Sequence, residues 1–295
     1  MSAGTKLDSL GSVLSDAHCG IFIINLDRRA DRWVRISEHL RELNCHSFQR
    51  IAACDGLMES KELAKKVFVP DNEKLSAAEP TKRQMGALGC LKSHLKALKV
   101  ASERFDAINI ALILEDDCFF IDKAPNIVKR SLDELPSEWK FLMLGAVYGS
   151  APGFIPKKNH VMRVYNATAA HAYIVNRHSC QLLIERIEAL LEAKTIFPID
   201  EWFTRYQSTE DWYATNPLIA GQRSGDYSDI EGMNRVHTDS CFKLGIIINR
   251  KIWLWMKMRR VLPIELMVGI LSRISAVWRW ALVAGEYKRA AAAHR

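Results

Sequence analysis

A short apolar run that stops at three acidic residues is the feature that most constrains this chain. Residues 108–114 contain one polar position, Asn109, and are followed at once by Glu115, Asp116 and Asp117. A run of this length and composition is typical of a strand buried on both faces. Because open α/β sheets bind ligands outside the carboxyl ends of their strands, we expect the three carboxylates to lie at a binding edge.

Similar apolar runs alternate with helical patterns along the chain. Apolar residues at helical spacing predict helices after residue 29, over residues 84–100 and after residue 175. This alternation predicts an α/β fold with a mainly parallel sheet flanked by helices. The 295 residues have room for one large domain over residues 1–245 and an amphipathic helical appendage over residues 246–295. The predicted strands cover residues 21–25, 108–114, 141–144 and 172–175.

The segment over residues 55–83 interrupts the alternation. It is rich in Lys and Glu, contains Pro70 and Pro80, and has weak apolar periodicity. The pattern predicts a loop with one short helix. A loop of this length beside a sheet is either a lid over a binding site or a plain surface insertion, and both interpretations stand.

The three adjacent acids have two interpretations. Carboxylates packed this closely repel one another, and a hard cation such as Mg²⁺ or Mn²⁺ removes the repulsion while also binding the phosphate oxygens of a nucleotide. The other interpretation is a solvated acidic turn, or a helix N-terminus that follows the strand. Other motifs of the chain favour the first.

Seven short motifs occur in a fixed order between residues 21 and 230. They are Ile23 to Arg29 with Asp31-Arg32, Ala52 to Gly56, Gly86 to Leu91 with Ser93 to Leu95, Leu112 to Asp117, Ala172 to Val175, Pro198 to Asp200, and Pro217 with Gln222 and Ser228 to Ile230. In these motifs the chain resembles glycosyltransferase family 25, the group of lipooligosaccharide-biosynthesis and procollagen-galactosyltransferase enzymes. The resemblance implies a GT-A-like fold, UDP-galactose or UDP-glucose as the donor, a divalent metal, Mn²⁺ or Mg²⁺, and inversion at the anomeric carbon. Asp116 and Asp117 are then the predicted metal ligands.

Ten residues of these motifs are predicted to bind the donor. Asn25 ends the first strand, where an amide can bind a base or ribose, and Arg28 and Arg32 can pair with a diphosphate. Alternatively, these arginines form local ion pairs with Asp27 and Asp31 at the start of a helix. The full set is Asn25, Arg28, Arg32, Asp55, Gly86, Gly89, Ser93, His94, Glu115 and Asp229.

Several members of this set also have plain structural explanations. Gly86 and Gly89 allow a close backbone approach, either to a ligand or to a neighbouring strand. Ser93 and His94 lie on the predicted helix over residues 84–100. His94 falls on the apolar stripe of this helix, where a core histidine is the usual finding. Only the family resemblance favours a site role for it. Asp229 either binds metal, donor or acceptor, or closes a turn.

An inverting transfer also needs a general base, because a carboxylate must take the proton of the acceptor hydroxyl while UDP leaves. Asp200 is the predicted base, since Pro198 fixes the chain before it and a helical stretch follows. Glu201 is the second candidate for the general base. Asp200 could equally be the N-cap of that helix, which is a common role for Asp.

Residues 250–295 differ from the rest of the chain in charge. They hold ten Lys and Arg and two acids, a balance of +8, which leaves −1 for the preceding residues out of a total of +7. The near-neutral body argues against a nucleic-acid groove.

No stretch of residues 250–295 reaches the roughly 18 uncharged residues of a membrane span. On a helix, apolar residues between Met267 and Leu282 share one face, which predicts an interfacial helix on anionic lipid over residues 250–290. A helix packed on the catalytic domain would explain the apolar face but not the charge.

Two further features bear on location. The seven cysteines include no C-x-x-C pair, which argues against a zinc knuckle and a disulfide framework. The first twenty residues lack the apolar run of a signal peptide. We therefore expect a cytoplasmic protein, peripheral on the inner face of the membrane.

Together these features predict an inverting, metal-dependent hexosyltransferase that moves galactose or glucose from UDP to a saccharide acceptor, in lipooligosaccharide or other surface glycan synthesis. The alternative is a catalytically silent, membrane-associated relative that keeps the fold as a binding or scaffold module. The intact acidic cluster and Asp200 favour the enzyme.

Overall fold

The computed structural model describes residues 8–68, 79–148, 152–155 and 157–223, which build a central sheet with helices on both faces. The helices are α1 (Leu10–Asp16), α2 (Ala30–Glu42), α3 (Lys61–Ala64), α4 (Lys82–Ser102), α5 (Ala124–Glu134), α6 (Arg177–Glu192) and α7 (Ile199–Thr204), with a 3-10 turn at Gly56–Met58. The strands are β1 (Cys19–Asn25), β2 (Gln49–Ala52), β3 (Ile110–Glu115), β4 (Cys118–Phe120), β5 (Phe141–Met143), β6 (Val147–Tyr148), β7 (Gly153–Phe154), β8 (Val161–Arg163), β9 (Ala167–Thr168), β10 (Ala172–Asn176), β11 (Trp212–Thr215) and β12 (Ala220–Gln222).

The main sheet has eight strands in the order β2-β1-β3-β10-β5-β11-β8-β7. Strand β1 is parallel to β2 and β3, and β5 is parallel to β11. Strands β10 and β8 are antiparallel to both of their neighbours. The other six strands share one direction, so the predicted α/β fold with a mainly parallel sheet is confirmed, with two strands reversed. Two short antiparallel pairs, β12 with β4 and β6 with β9, lie beside it.

Strand β3 shows why this sheet is buried on both faces. Ile113 points into one apolar cluster, whereas Leu112 and Leu114 point into the other. Helices α4 and α6 cover the first face, and helices α1, α2 and α5 cover the second. Because successive side chains of a strand point to opposite faces, only a nearly continuous apolar run satisfies both layers.

The ends of β1 and β3 form the edge where a ligand site is expected. From β1 the chain continues through α2 to β2 on one side, while β3 lies on the other side of β1. The connections that leave β1 and β3 therefore run to opposite sides of the sheet. The crevice between the ends of two such strands is the topological switch point of an open α/β sheet. Asn25 ends β1 and Glu115 ends β3.

The elements predicted from periodicity are confirmed. Residues 55–68 form the 3-10 turn and α3, in agreement with the predicted loop with one short helix, and residues 69–78 of that segment lie outside the described residues. The interpretation of Asp200 as an N-cap is wrong, because Pro198 occupies the cap of α7 and Asp200 lies in its first turn. Asp229, the boundary at residue 245 and the whole predicted appendage lie outside the described residues. No helix in the described ranges is long and apolar enough to span a bilayer.

Candidate active site

The parallel pairing of β1 with β3 brings Asn25 and Asp116 together. Ile24 is in register with Glu115, so the next residue of each strand lies at the same edge. The Asn25 side-chain amide donates a hydrogen bond of 2.7 Å to Asp116 Oδ2, and both residues are buried. The first predicted donor-binding residue and the first predicted metal ligand are therefore direct partners.

Helix α2 adds a cation to this pair. Arg32 Nη1 donates to Asp116 Oδ1 at 3.0 Å and lies 3.8 Å from Asp117 Oδ2. Burial, together with the negative charge of Asp117, raises the pKa of Asp116 to about 6, and Arg32 and Asn25 oppose the rise. Arg32 thus pairs with a carboxylate that lies 84 positions away in the sequence.

Glu115 and Asp117 face a different donor. Gln222 ends β12, which pairs with β4 directly after the acidic cluster. Its side-chain amide nitrogen lies 3.2 Å from Glu115 Oε2 and 3.2 and 3.4 Å from the two carboxylate oxygens of Asp117. Three carboxylate oxygens thus converge on one amide group.

Helix α4 supplies a second set of contacts to Glu115. His94 is fully buried, and its Nδ1 lies 2.9 Å from the hydroxyl of Tyr173. Its Nε2 lies 3.3 Å from Glu115 Oε1, and the Cys90 sulfur lies 4.0 Å from the same oxygen. The structure therefore places the histidine of the apolar stripe against the acidic edge.

Gly89 of α4 and Gly56 let the loop after β2 approach the helix closely. A Cβ at Gly89 would lie 2.6 Å from the backbone nitrogen of Gly56, and a Cβ at Gly56 would lie 2.2 Å from the carbonyl oxygen of Met85 and 3.0 Å from the nitrogen of Gly86. Side chains are excluded at Gly56 and Gly89 because backbone atoms already occupy the space. Gly56 and Gly89 thus have a packing role at this contact, to which Gly86 contributes its backbone nitrogen.

Ser93 fixes the same loop by hydrogen bonds. Its hydroxyl donates to the carbonyl of Gly89 at 2.6 Å and accepts from the backbone N–H of Cys54 at 2.8 Å. This contact holds the start of the loop that carries Asp55 against α4. Ser93 is buried, so the described geometry gives it a role in positioning the loop.

The loops after β1 and β2 are joined by an ion pair between Arg28 and Asp55. Asp55 also accepts a hydrogen bond of 3.0 Å from the backbone of Leu57 and so caps the 3-10 turn. Both side chains of the pair are partly exposed, at 39% for Arg28 and 29% for Asp55. They are therefore accessible from solvent near the end of β1.

The predicted base lies on the first turn of α7. Asp200 Oδ2 accepts a hydrogen bond of 3.3 Å from the backbone N–H of Ala169, and Oδ1 accepts one of 3.0 Å from Glu201. Two residues after Ala169, the carbonyl of His171 accepts from the backbone N–H of Glu115 at 2.9 Å. A segment of three residues therefore links Asp200 to the acidic edge. The Glu201 carboxylate pairs with Arg83 at 3.3 Å.

Comparison with known proteins identifies the family. The profile described as glycosyltransferase family 25, LPS biosynthesis protein, matches residues 18–202, which is more than half of the chain. The chain belongs to glycosyltransferase family 25. The family predicted from the seven motifs is thereby confirmed, and with it a glycosyltransferase role.

Solved structures include a more distant similarity. The crystal structure of a glycosyltransferase involved in the glycosylation of the major capsid of PBCV-1 shares 13% sequence identity with the family 25 chain, with a TM-score of 0.33. The match covers 59% of this chain and 67% of that one. No curated protein matches the chain.

Several residues of this family 25 site were not among the predicted site residues. Gln222, Tyr173 and Cys90 belong to the seven motifs but had no assigned role, and Cys90 also lies one helical turn before His94. His171 precedes β10, and its Nε2 would lie 2.0 Å from a Cβ at Gly145, so Gly145 makes room for the ring. A fifth residue, Arg223, donates its backbone N–H to the carbonyl of Asp117 at 2.9 Å.

Proposed function

We propose that this family 25 glycosyltransferase is an inverting, metal-dependent hexosyltransferase. It moves galactose or glucose from a UDP-sugar to a saccharide acceptor, in the synthesis of lipooligosaccharide or another surface glycan. The observation that carries the proposal is the cluster of three carboxylates, contacted by Arg32 and Gln222, at the carboxyl ends of two parallel strands. That edge is where open α/β sheets bind nucleotides.

The donor is proposed to lie against the loops after β1 and β2. Asp55 offers a carboxylate of the type that binds ribose hydroxyls, whereas Asn25 is 1% exposed and bonded to Asp116 and Arg50, so it would act on the donor by holding this edge in place. Arg28 and Arg32 offer guanidinium groups that match the geometry of a diphosphate. Arg28 is the more accessible of the two arginines, because Arg32 is 6% exposed and engaged with Asp116.

The acidic cluster fits a hard divalent cation, Mn²⁺ or Mg²⁺. Oxygen ligands suit such ions, and Glu115 and Asp117 turn three carboxylate oxygens toward one point, where the Gln222 amide now serves as their common donor. When bound, the cation would offset the charge that develops on the leaving UDP. Asp116 would have to exchange a contact with Asn25 or Arg32 to reach it, so we place Asp117 first among the ligands.

Asp200 is proposed as the general base. In the transfer, its carboxylate takes the proton of an acceptor hydroxyl, the hydroxyl oxygen bonds to the anomeric carbon, and the bond to UDP breaks on the opposite face. The contact of Asp200 with Ala169 is long at 3.3 Å, so this carboxylate oxygen can turn toward an acceptor at little cost. Glu201 is the second candidate for this role.

We further propose that residues 250–290 bind an anionic membrane and hold the enzyme on its cytoplasmic face. The support is the surplus of eight positive charges in residues 250–295 beside a nearly neutral body. An enzyme held at the membrane would meet a membrane-bound acceptor by diffusion in two dimensions.

The proposed function is tested by UDP release from a panel of nucleotide sugars with Mn²⁺, with a chelator, and with saccharide acceptors. We expect release from UDP-galactose or UDP-glucose that depends on metal, and a product whose anomeric configuration, read by NMR, is inverted. Retention of configuration would reject the inverting mechanism. No release from any nucleotide sugar by the folded protein would favour the scaffold alternative.

A further inference from the structure

Three side chains around one oxygen of Glu115 form a cluster of metal-ligand type, and the proposed hard-cation site uses only the other oxygen of Glu115. The cluster consists of Cys90, His94 and Glu115, whose ligand atoms all lie within 4.8 Å of one another. Cys90 and His94 are four residues apart on α4 and so share one face of the helix. Glu115 approaches them from the end of β3.

We propose that this cluster binds a thiophilic divalent cation such as Zn²⁺, at a second site adjacent to the hard-cation site beside Asp117. Thiolate, imidazole and carboxylate together suit Zn²⁺ or Co²⁺, whereas an all-oxygen set suits Mg²⁺ or Mn²⁺. Glu115 is shared by the two sites, because Oε1 faces Cys90 and His94 while Oε2 faces Gln222.

The distances are close to those that a shared ion requires. With bonds of about 2.0 to 2.3 Å, a tetrahedral zinc site places nitrogen and oxygen ligands about 3.3 Å apart and sulfur and oxygen ligands about 3.5 Å apart. His94 Nε2 lies 3.3 Å from Glu115 Oε1, which is long for a hydrogen bond. The Cys90 sulfur, at 4.0 Å from the same oxygen, needs only a small rotation of its side chain.

The surroundings of His94 also suit a ligand. Its Nδ1 is held at 2.9 Å by the hydroxyl of Tyr173, and the two rings are stacked. A metal-binding histidine commonly has a partner of this kind on its other nitrogen, which fixes the ring orientation. Three protein ligands leave a fourth position for water or another small ligand, and Cys90 and Glu115 are both partly exposed.

Cobalt binding by the full-length protein tests the site without any assay of sugar transfer. After treatment with a chelator, titration with Co²⁺ should give one bound ion at this site, with a thiolate-to-cobalt charge-transfer band and the ligand-field bands of a four-coordinate ion. Cys90→Ser should abolish the charge-transfer band and weaken binding by at least about tenfold. Cys19→Ser is the matched control, because Cys19 is also partly buried but lies at the opposite end of β1, and it should leave the spectrum unchanged.

Alkylation of the unmodified protein provides a second measurement that needs no variant. Zn²⁺ should slow the alkylation of Cys90 by iodoacetamide, read by peptide mass spectrometry, by at least about tenfold, whereas Mg²⁺ should not. Cys19 should react at the same rate with and without Zn²⁺. A charge-transfer band that persists in Cys90→Ser, or unprotected Cys90 in the presence of Zn²⁺, would overturn the site. Either result leaves the UDP-release assay, and so the proposed function, unaffected.

Discussion

The side-chain amide of Asn25 holds the carboxylate of Asp116 across the parallel strands β1 and β3, with 2.7 Å between donor and acceptor. The Asn25 oxygen in turn accepts from Arg50 at 2.8 Å, and the second oxygen of Asp116 accepts from Arg32 at 3.0 Å. This network joins α2, the carboxyl ends of β1 and β3, and the second residue of β2. It fixes the backbone that presents Glu115 and Asp117.

The first prediction concerns the cost of breaking this network. Asn25→Leu leaves Asp116 buried without its amide donor, and an unsatisfied buried acceptor costs about 1 to 3 kcal/mol. We expect the free energy of unfolding, measured with urea, to fall by that amount. Asn126→Leu is the control on an exposed position and should change stability by less than about 0.5 kcal/mol. Equal effects of the two substitutions would show that the network adds no stability.

The second prediction is a pH dependence that comes from Asp116. Its pKa is raised from 3.8 to about 6, chiefly by burial, so the folded state holds the proton more tightly than the unfolded state. The stability linked to this proton is fully present below pH 3.8 and is lost as the pH rises through 6. A shift of about two units corresponds to about 3 kcal/mol.

Comparison with Asp116→Asn isolates that contribution. The amide does not titrate, so the difference in unfolding free energy between the unmodified protein and the variant should change by up to about 3 kcal/mol between pH 4 and pH 7. Urea unfolding at several pH values measures it, with the unmodified protein losing stability relative to the variant as the pH rises. A difference that stays constant with pH would contradict the raised pKa.

The third prediction separates the two aspartates at the metal site. Asp117→Asn should raise the Mn²⁺ requirement and lower turnover by about 10²-fold or more, about 3 kcal/mol of transition-state stabilisation. Asp116→Asn should also lower turnover but with a smaller change in Mn²⁺ requirement, because Asn25 and Arg32 already engage its oxygens. The measurement is UDP release against Mn²⁺ concentration.

The control for the metal variants is a nearby acid outside the cluster. Asp122 is exposed and follows β4, so Asp122→Asn removes the same charge without touching the carboxylates that converge on Gln222. We expect its metal dependence to equal that of the unmodified protein. Unchanged metal dependence in both cluster variants would remove the hard-cation site from the mechanism.

The elements that carry the site could be predicted from sequence because their signals are local. Strands β1 and β3 are continuous apolar runs, and α4 has apolar residues at helical spacing over 21 residues. The position of the acidic cluster at a strand end followed from the same pattern. Each of these features depends on neighbouring residues alone, so a single sequence shows it.

The contacts within the site depend on residues far apart in the chain. Gln222 lies 107 positions from Glu115, and Arg32 lies 84 positions from Asp116. Strand β10 runs antiparallel to its neighbours β3 and β5. The residues of β10 alone do not indicate this direction. Periodicity therefore predicted helices and strands but not that Gln222 lies beside the acids, or that Glu115 faces both α4 and β12.

The fourth prediction concerns residues 250–295. A chain truncated after residue 250 should still release UDP but should no longer sediment with anionic liposomes, because the surplus of positive charge has been removed. Binding of the full-length protein should weaken with salt, since the Debye length shortens to about 8 Å at physiological ionic strength. Uncharged liposomes are the control for both chains. Unfolding of the truncated chain would instead show that these residues pack on the catalytic domain.

The last prediction tests Asp200 as the general base. Asp200→Asn keeps the size of the side chain but removes its basicity, so kcat for sugar transfer should fall by about 10² to 10⁴. The amide oxygen can replace only one of the two acceptors that Ala169 and Glu201 now use, so stability should fall by about 1 kcal/mol. UDP binding should survive, whereas the Asp117 variant should weaken donor binding as well. Glu201→Gln is the matched control, since it removes a neighbouring carboxylate whose pair with Arg83 is partly exposed. If Glu201→Gln is inactive and Asp200→Asn turns over normally, the base is Glu201, and if both are active, the base lies outside α7.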